Sequence, residues 1–125
     1  MKKAFHSNQA PAAIGTYSQA VAAGRLVFLS GQIPLDPGTM NLVEGDFNDQ
    51  VRRVFLNLQA VCQAADRELD DIVRLTVYLT DMENFSKVNR AMLEFFNEPY
   101  PARAAVGVAA LPKGADVEID AILNL

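Results

Sequence analysis

The longest regular pattern in the chain is an apolar stripe that recurs at spacings of three and four: Phe47, Val51, Val54, Phe55, Leu58, Val61, Cys62 and Ala65. That spacing keeps one face of an α-helix apolar over about five turns. Asp46 stands just before it, where a carboxylate accepts orphan amide protons and complements the positive end of the helix dipole. A shorter stripe of Phe85, Val88, Met92, Phe95 and Phe96 predicts a second helix, with Asp81 as its cap and Pro99 and Pro101 beyond its end. Between the two the period changes. From Ile72 to Leu79 the residues alternate, with Val73, Leu75, Val77 and Leu79 on one face and Arg74, Thr76 and Tyr78 on the other, which predicts a strand.

The ends of the chain read as shorter strands. Ala4 to Ser7 predicts an edge strand, and Asn8 to Thr16 a loop, because Pro11 and Gly15 interrupt any period. Ser18 to Ala23 and Leu26 to Gly31 predict a hairpin about Gly24-Arg25. Pro34, Pro37 and Gly38 mark a loop up to Gly45, with an extended piece around Asn41 to Val43. Ala102 to Ala109 sets Ala104, Val106 and Val108 against Arg103, Ala105 and Gly107. Val117 to Leu123 sets Val117, Ile119, Ala121 and Leu123 against Glu118, Asp120 and Ile122. With each apolar set turned to the core, Arg103 and Glu118 are expected on the same outward face.

Strands, a helix, a strand, a helix and two strands predict an α+β fold, a single mixed sheet with two helices on one face. The uncovered face would carry Arg74, Thr76, Tyr78, Arg103, Glu118 and Asp120 beside Ala105, Gly107 and Ile122. Such a face is too polar for a dry core and too apolar for open water, and it suits a partly wet interface between subunits. With 125 residues the chain has room for one domain, residues 1–125.

Charge then narrows the partners. A net charge of −4 with scattered Lys and Arg argues against a general hold on nucleic acid, which needs a clustered basic surface. Met1-Lys2-Lys3 is followed by no apolar segment of the kind a secretory signal carries, and no run approaches the ~20 apolar residues of a membrane span. The lone Cys62 permits no intramolecular disulfide and fits a reducing compartment. A cytoplasmic protein with no membrane contact is expected.

One histidine, His6, and one cysteine are too few for a zinc site, so no metal is expected. Cys62 lies on the helix stripe and reads as a core residue. No Gly-x-Ser-x-Gly elbow, phosphate loop or dinucleotide fingerprint occurs. What remains is Arg103, whose guanidinium can grip a carboxylate through two parallel bonds, and Glu118, a carboxyl able to move protons or hold a water. Taken alone, each reads first as a surface or structural residue, Glu118 paired with Arg103 or Arg74.

Four ordered blocks tip that balance. Ala10-Pro11-Ala12-Ala13-Ile14-Gly15-Thr16-Tyr17, Ser30-Gly31-Gln32-Ile33-Pro34, Pro101-Ala102-Arg103, and Leu111-Pro112-Lys113 followed by Val117-Glu118-Ile119-Asp120-Ala121-Ile122 resemble the signature blocks of the RidA/YjgF family of enamine/imine deaminases. The resemblance implies a chorismate-mutase-like subunit in a homotrimeric barrel with interfacial active sites. It implies cofactor-free hydrolysis of 2-aminoacrylate-type intermediates, the 2-iminobutanoate/2-iminopropanoate deaminase reaction, to 2-oxo acids and ammonia. By the same resemblance Arg103 anchors the substrate carboxylate, Glu118 positions water, and Tyr17, Ser30 and the Gly31 amide line the pocket. Asn89 matches a frequent family asparagine, although a cap or local bond explains it equally well. Ala105 stands where many members carry a cysteine, which excludes a thiol mechanism but keeps a backbone amide for the ligand. Asp120 is expected to be an outer, structural carboxylate. The rival readings are a non-catalytic 2-oxo-acid-binding regulatory protein, a ribonuclease or translation inhibitor, disfavoured by the acidic charge, and a chorismate mutase, whose dianionic substrate needs more cations than Arg103.

Overall fold

The computed structural model describes residues 2–125; Met1, the first residue of the basic opening, lies outside them. The strands are β1 (Lys3–Phe5), β2 (Ala20–Ala23), β3 (Leu26–Gln32), β4 (Ile72–Leu79), β5 (Ala102–Gly107) and β6 (Val117–Asn124), with helices α1 (Phe47–Ala64) and α2 (Phe85–Phe95). They form one six-stranded sheet in the order β1-β2-β3-β6-β4-β5. Every pair is antiparallel except β4 and β5, which α2 joins as a parallel crossover. No helix among the described residues is long and apolar enough to cross a membrane.

Local chemistry sets the elements. Asp46 caps α1 through a reciprocal box: its carboxylate accepts from the Asp49 amide, and Asp49 accepts from the Asp46 amide. Gly24, at φ 63°, makes the predicted hairpin turn. Asp81 caps a single 3₁₀ turn, Met82–Asn84, and α2 follows directly from it. The inner sheet face meets the helices at Leu75, Val77, Leu79, Val117, Ile119 and Leu123, all fully buried. Burying each such side chain contributes about 1.5–3 kcal/mol. Phe55 of α1 packs edge-on to Phe96 at 5.5 Å, which docks the end of α2. A satellite core of Ile33, Leu35 and Ala115, with Met40, Leu42 and Leu111 against it, sits under the loops. There the expected extended piece appears as a single bridge, Leu35 to Leu42.

Two facings differ from the alternation pattern. A register shift between Ile72 and Arg74 turns Val73 outward, 46% exposed, and seats Ile72 in the core instead. More consequentially, β5 is the other way round. Its register pairs Arg103 with Leu75 and Ala105 with Val77, so Arg103, Ala105 and Gly107 are on the helix side. Val106, opposite Tyr78, faces outward and is 41% exposed. Strand limits also move: β1 begins at Lys3 and ends at Phe5, and β2 begins only at Ala20, leaving Ser18 and Gln19 irregular.

Candidate active site

Glu118 projects from β6 on the outer sheet face, opposite Tyr78 of β4. The neighbouring strand β3 is irregular between Leu29 and Gln32, which brings Gly31 beneath the carboxylate. A Cβ at residue 31 would lie 2.3 Å from Glu118 Oε2 and 2.9 Å from its Cδ, so the absence of a side chain there makes the seat. Around it is a cleft of about 360 Å³, whose walls include Tyr17, Ser30, Gly31, Ile33, Pro112 and Glu118. Tyr17 Oη accepts a bond from the Ile14 amide at 3.3 Å and keeps its own proton to donate. Ser30 Oγ donates to the Ser18 carbonyl at 2.6 Å, which leaves lone pairs to accept. Burial pushes the Glu118 carboxyl above its ordinary value, and the Asp120 charge pushes it further. Asp120 itself accepts from Tyr78 Oη at 3.1 Å, the structural part expected of it.

Arg103 sits elsewhere. Its guanidinium lies 4.7 Å from the centre of the Phe85 ring, and Nη1 donates to Asn89 Oδ1 and approaches Met92 Sδ at 3.3 Å. Asn89 thus serves neither as a cap nor as a local helix bond. Among the described residues Nε and Nη2 of Arg103 donate to no protein group, so part of the fork stays available. It opens into a second cleft of about 360 Å³, walled by Asn89, Met92, Leu93, Tyr100 and Pro101.

The expectation that Arg103 and Glu118 share an outward face is therefore corrected. They are on opposite faces of the sheet and line two clefts with no wall residue in common. Nor do they form a salt bridge; the ion pair among the described residues is Arg52–Glu94. Ala105 and Gly107, expected on the uncovered face, are likewise on the helix side. Ala105 packs against the main core, and a Cβ at Gly107 would meet Met82 Cγ at 3.2 Å.

Cys62 is fully buried, and burial, with help from Asp71 and Glu68, pushes its thiol up to about 12, which keeps it protonated and inert. His6 is exposed and bonded to Asn8 Oδ1 at 2.9 Å. No group of three or more His, Cys, Asp or Glu among the described residues is placed to hold a metal ion. Two contributors escaped the sequence reading. Phe85 looked like one more member of the α2 stripe, yet it carries the Arg103 guanidinium. Gly31 was noted for its amide, whereas its missing Cβ is what admits Glu118.

Fold and clefts together describe a small α+β protein with one mixed sheet, two helices on one face and two separate clefts, one holding Arg103 and the other Glu118. Residues 7–124 match the sequence profile described as Endoribonuclease L-PSP, and the chain belongs to that family, the RidA/YjgF/RutC family. It is 54% identical over 123 residues to Protein DfrA of Myxococcus xanthus, covering 97% of this chain and 94% of that one. It is 42% identical over 122 residues to a 2-iminobutanoate/2-iminopropanoate deaminase of Bos taurus, covering 98% and 89%. The crystal structure of RidA from an Antarctic Psychrobacter superposes with a TM-score of 0.94 at 50% identity, covering 98% and 99%.

Proposed function

We propose that this protein is an enamine/imine deaminase, hydrolysing 2-aminoacrylate, 2-aminocrotonate and their imine tautomers to 2-oxo acids and ammonia in the cytoplasm. The observation that carries the reading is the division of complementary chemistry between two open clefts. A half-free guanidinium lines one, and a carboxyl whose proton affinity burial raises, beside a phenol and a hydroxyl, lines the other. One subunit cannot bring them together, because they are on opposite sheet faces. The active unit is accordingly a homotrimer in which the Arg103 cleft of one copy meets the Glu118 cleft of the next. The uncovered outer face supports this, with Leu26, Phe28, Val73 and Val106 each at least 40% exposed between polar side chains.

In this reading Arg103 holds the substrate carboxylate, and Asn89 and Phe85 fix its orientation. The enamine takes a proton on its terminal carbon and becomes the iminium ion. Glu118 takes a proton from water as the water oxygen bonds to C2, then returns it to the nitrogen of the tetrahedral adduct. The C–N bond breaks, ammonia leaves, and loss of the hydroxyl proton yields the 2-oxo acid. A carboxyl whose proton affinity is raised serves both halves of that exchange at neutral pH. No step requires a metal, a cofactor or a thiol, so Ala105 is no obstacle.

The test generates imines in situ with an amino-acid oxidase and measures ammonia release, alongside 2-oxobutanoate binding and light scattering. Scattering should give three times the subunit mass. Arg103→Lys loses the bidentate fork and should weaken 2-oxobutanoate binding by about 10- to 100-fold, the loss of a charge-assisted bond. Glu118→Gln should keep that binding and lower turnover by about 10²–10⁴-fold. Binding without turnover in the unmodified trimer would instead establish a 2-oxo-acid-binding regulatory protein. A stable, active monomer would overturn the interfacial site.

A further inference from the structure

Among the described residues three polar side chains are buried, Gln19, Gln32 and Asn57, and each either lines the Glu118 cleft or bonds to its walls. Gln32 lines it directly. The other two do not touch the cleft but hold its walls. One wall is the loop leading to Tyr17, which contributes Pro11, Ala12 and Ile14 and has no regular secondary structure to satisfy its backbone. Gln19 supplies what is missing. Its Oε1 accepts from the Ser7 amide at 2.6 Å, and its Nε2 donates to the Ser7 carbonyl at 3.0 Å, the Pro11 carbonyl at 2.8 Å and, more weakly, the Ala10 carbonyl at 3.5 Å.

A second wall is Ile33 and Leu35, in the loop after β3. Asn57, fully buried in the middle of α1, donates Nδ2 to the Leu35 carbonyl at 3.0 Å and the Ile33 carbonyl at 3.4 Å. Arg53, one turn earlier, donates Nε to Asn57 Oδ1 at 3.0 Å, which sets the amide so that its N–H groups point at the loop. A buried amide costs stability unless it is satisfied, and an apolar residue would suit a helix stripe better. An apolar residue at either position, however, would leave buried loop carbonyls unpaired.

We infer that Gln19 and Asn57 are positioning residues that fix, from opposite sides, the loop walls within which Glu118 and Tyr17 act, with Arg53 locking the second amide. This inference rests on the hydrolase reading. Since the carboxylate grip belongs to the Arg103 cleft, loosening these walls alters the reacting geometry more than substrate retention. The test uses the full-length protein with Asn57→Asp and Gln19→Glu, isosteric changes that remove the donors and keep the acceptors. Arg53→Met is the milder variant, leaving both buried amides in place. Each of the first two should lower kcat by about tenfold or more, as small misplacements near a reacting centre do, while KM stays within about twofold. Arg53→Met should shift the same way by less. Hydrogen exchange read by mass spectrometry should rise in residues 33–43 for Asn57→Asp and in 7–17 for Gln19→Glu, with β4 and β6 unchanged. Variants that lower only the melting temperature, with wild-type kcat and KM per folded molecule, would overturn the positioning role. So would unchanged exchange in both loops. Failure of the unmodified protein to release ammonia would overturn the hydrolase reading and this role with it, whereas the exchange experiment reports on the anchoring independently.

Discussion

Replacing Gly31 with alanine tests whether Glu118 works from the position the fold gives it. The added methyl would stand 2.3 Å from Glu118 Oε2, 2.9 Å from Cδ and 3.1 Å from Cγ, where ordinary contact begins near 3.4 Å. To restore contact the carboxylate must withdraw by about 1 Å, and a displacement of that size can cost about 10²-fold in rate. Folding should suffer little. Gly31 has an ordinary negative or extended φ, so alanine fits the backbone, and the clashing atoms belong to the far end of a rotatable side chain. Ammonia release should therefore fall about 10²-fold while 2-oxobutanoate binding, held by Arg103, and the melting temperature stay near wild type. Adding Glu118→Asp to Gly31→Ala shortens the side chain by one methylene and should restore part of the lost rate. Wild-type turnover by Gly31→Ala would refute the placement of Glu118 as the group that moves the proton. A fall in melting temperature that matches the fall in rate would refute it too.

Cys62→Ala should cost about 1 kcal/mol through a small cavity and leave turnover intact, and the parent thiol should resist alkylation at neutral pH because it stays protonated. Phe85→Leu removes the ring under the Arg103 guanidinium. A cation–π contact of about 0.5–1 kcal/mol predicts a two- to fivefold weaker grip on 2-oxobutanoate with kcat unchanged; a drop in kcat alone would contradict this. Glu118→Gln also bears on stability. A carboxyl raised in the folded state imposes a cost that sets in as pH climbs through its folded value and is absent below its unfolded value. The variant should thus melt above the parent at pH 7 and match it once pH falls below the usual glutamate range; identical melting at pH 7 would remove burial as the cause.

Much of the architecture was legible because hydrophobic period is a local property. The α1 stripe, its Asp46 cap, the Gly24 hairpin and the inward set of β6 all follow from spacing alone, since a helix or a half-buried strand must turn its apolar residues one way. The four sequence blocks likewise pointed to the family and to Arg103, Glu118, Tyr17, Ser30 and Gly31 as site residues, while Asn89, outside the blocks, matched a frequent family asparagine. What spacing could not decide was the facing of β5. In Ala102–Gly107 both alternating sets are small and apolar apart from the arginine, so neither has a claim on the core. Pairing with β4 through the α2 crossover chose, and it sent Arg103 to the helix side, away from Glu118. The same holds for Val73, turned outward by a register shift that depends on β6, and for Gln19 and Asn57, whose partners are carbonyls many positions away. Strand register and long-range hydrogen bonds join residues distant in sequence, and only the folded chain brings those residues within reach of one another.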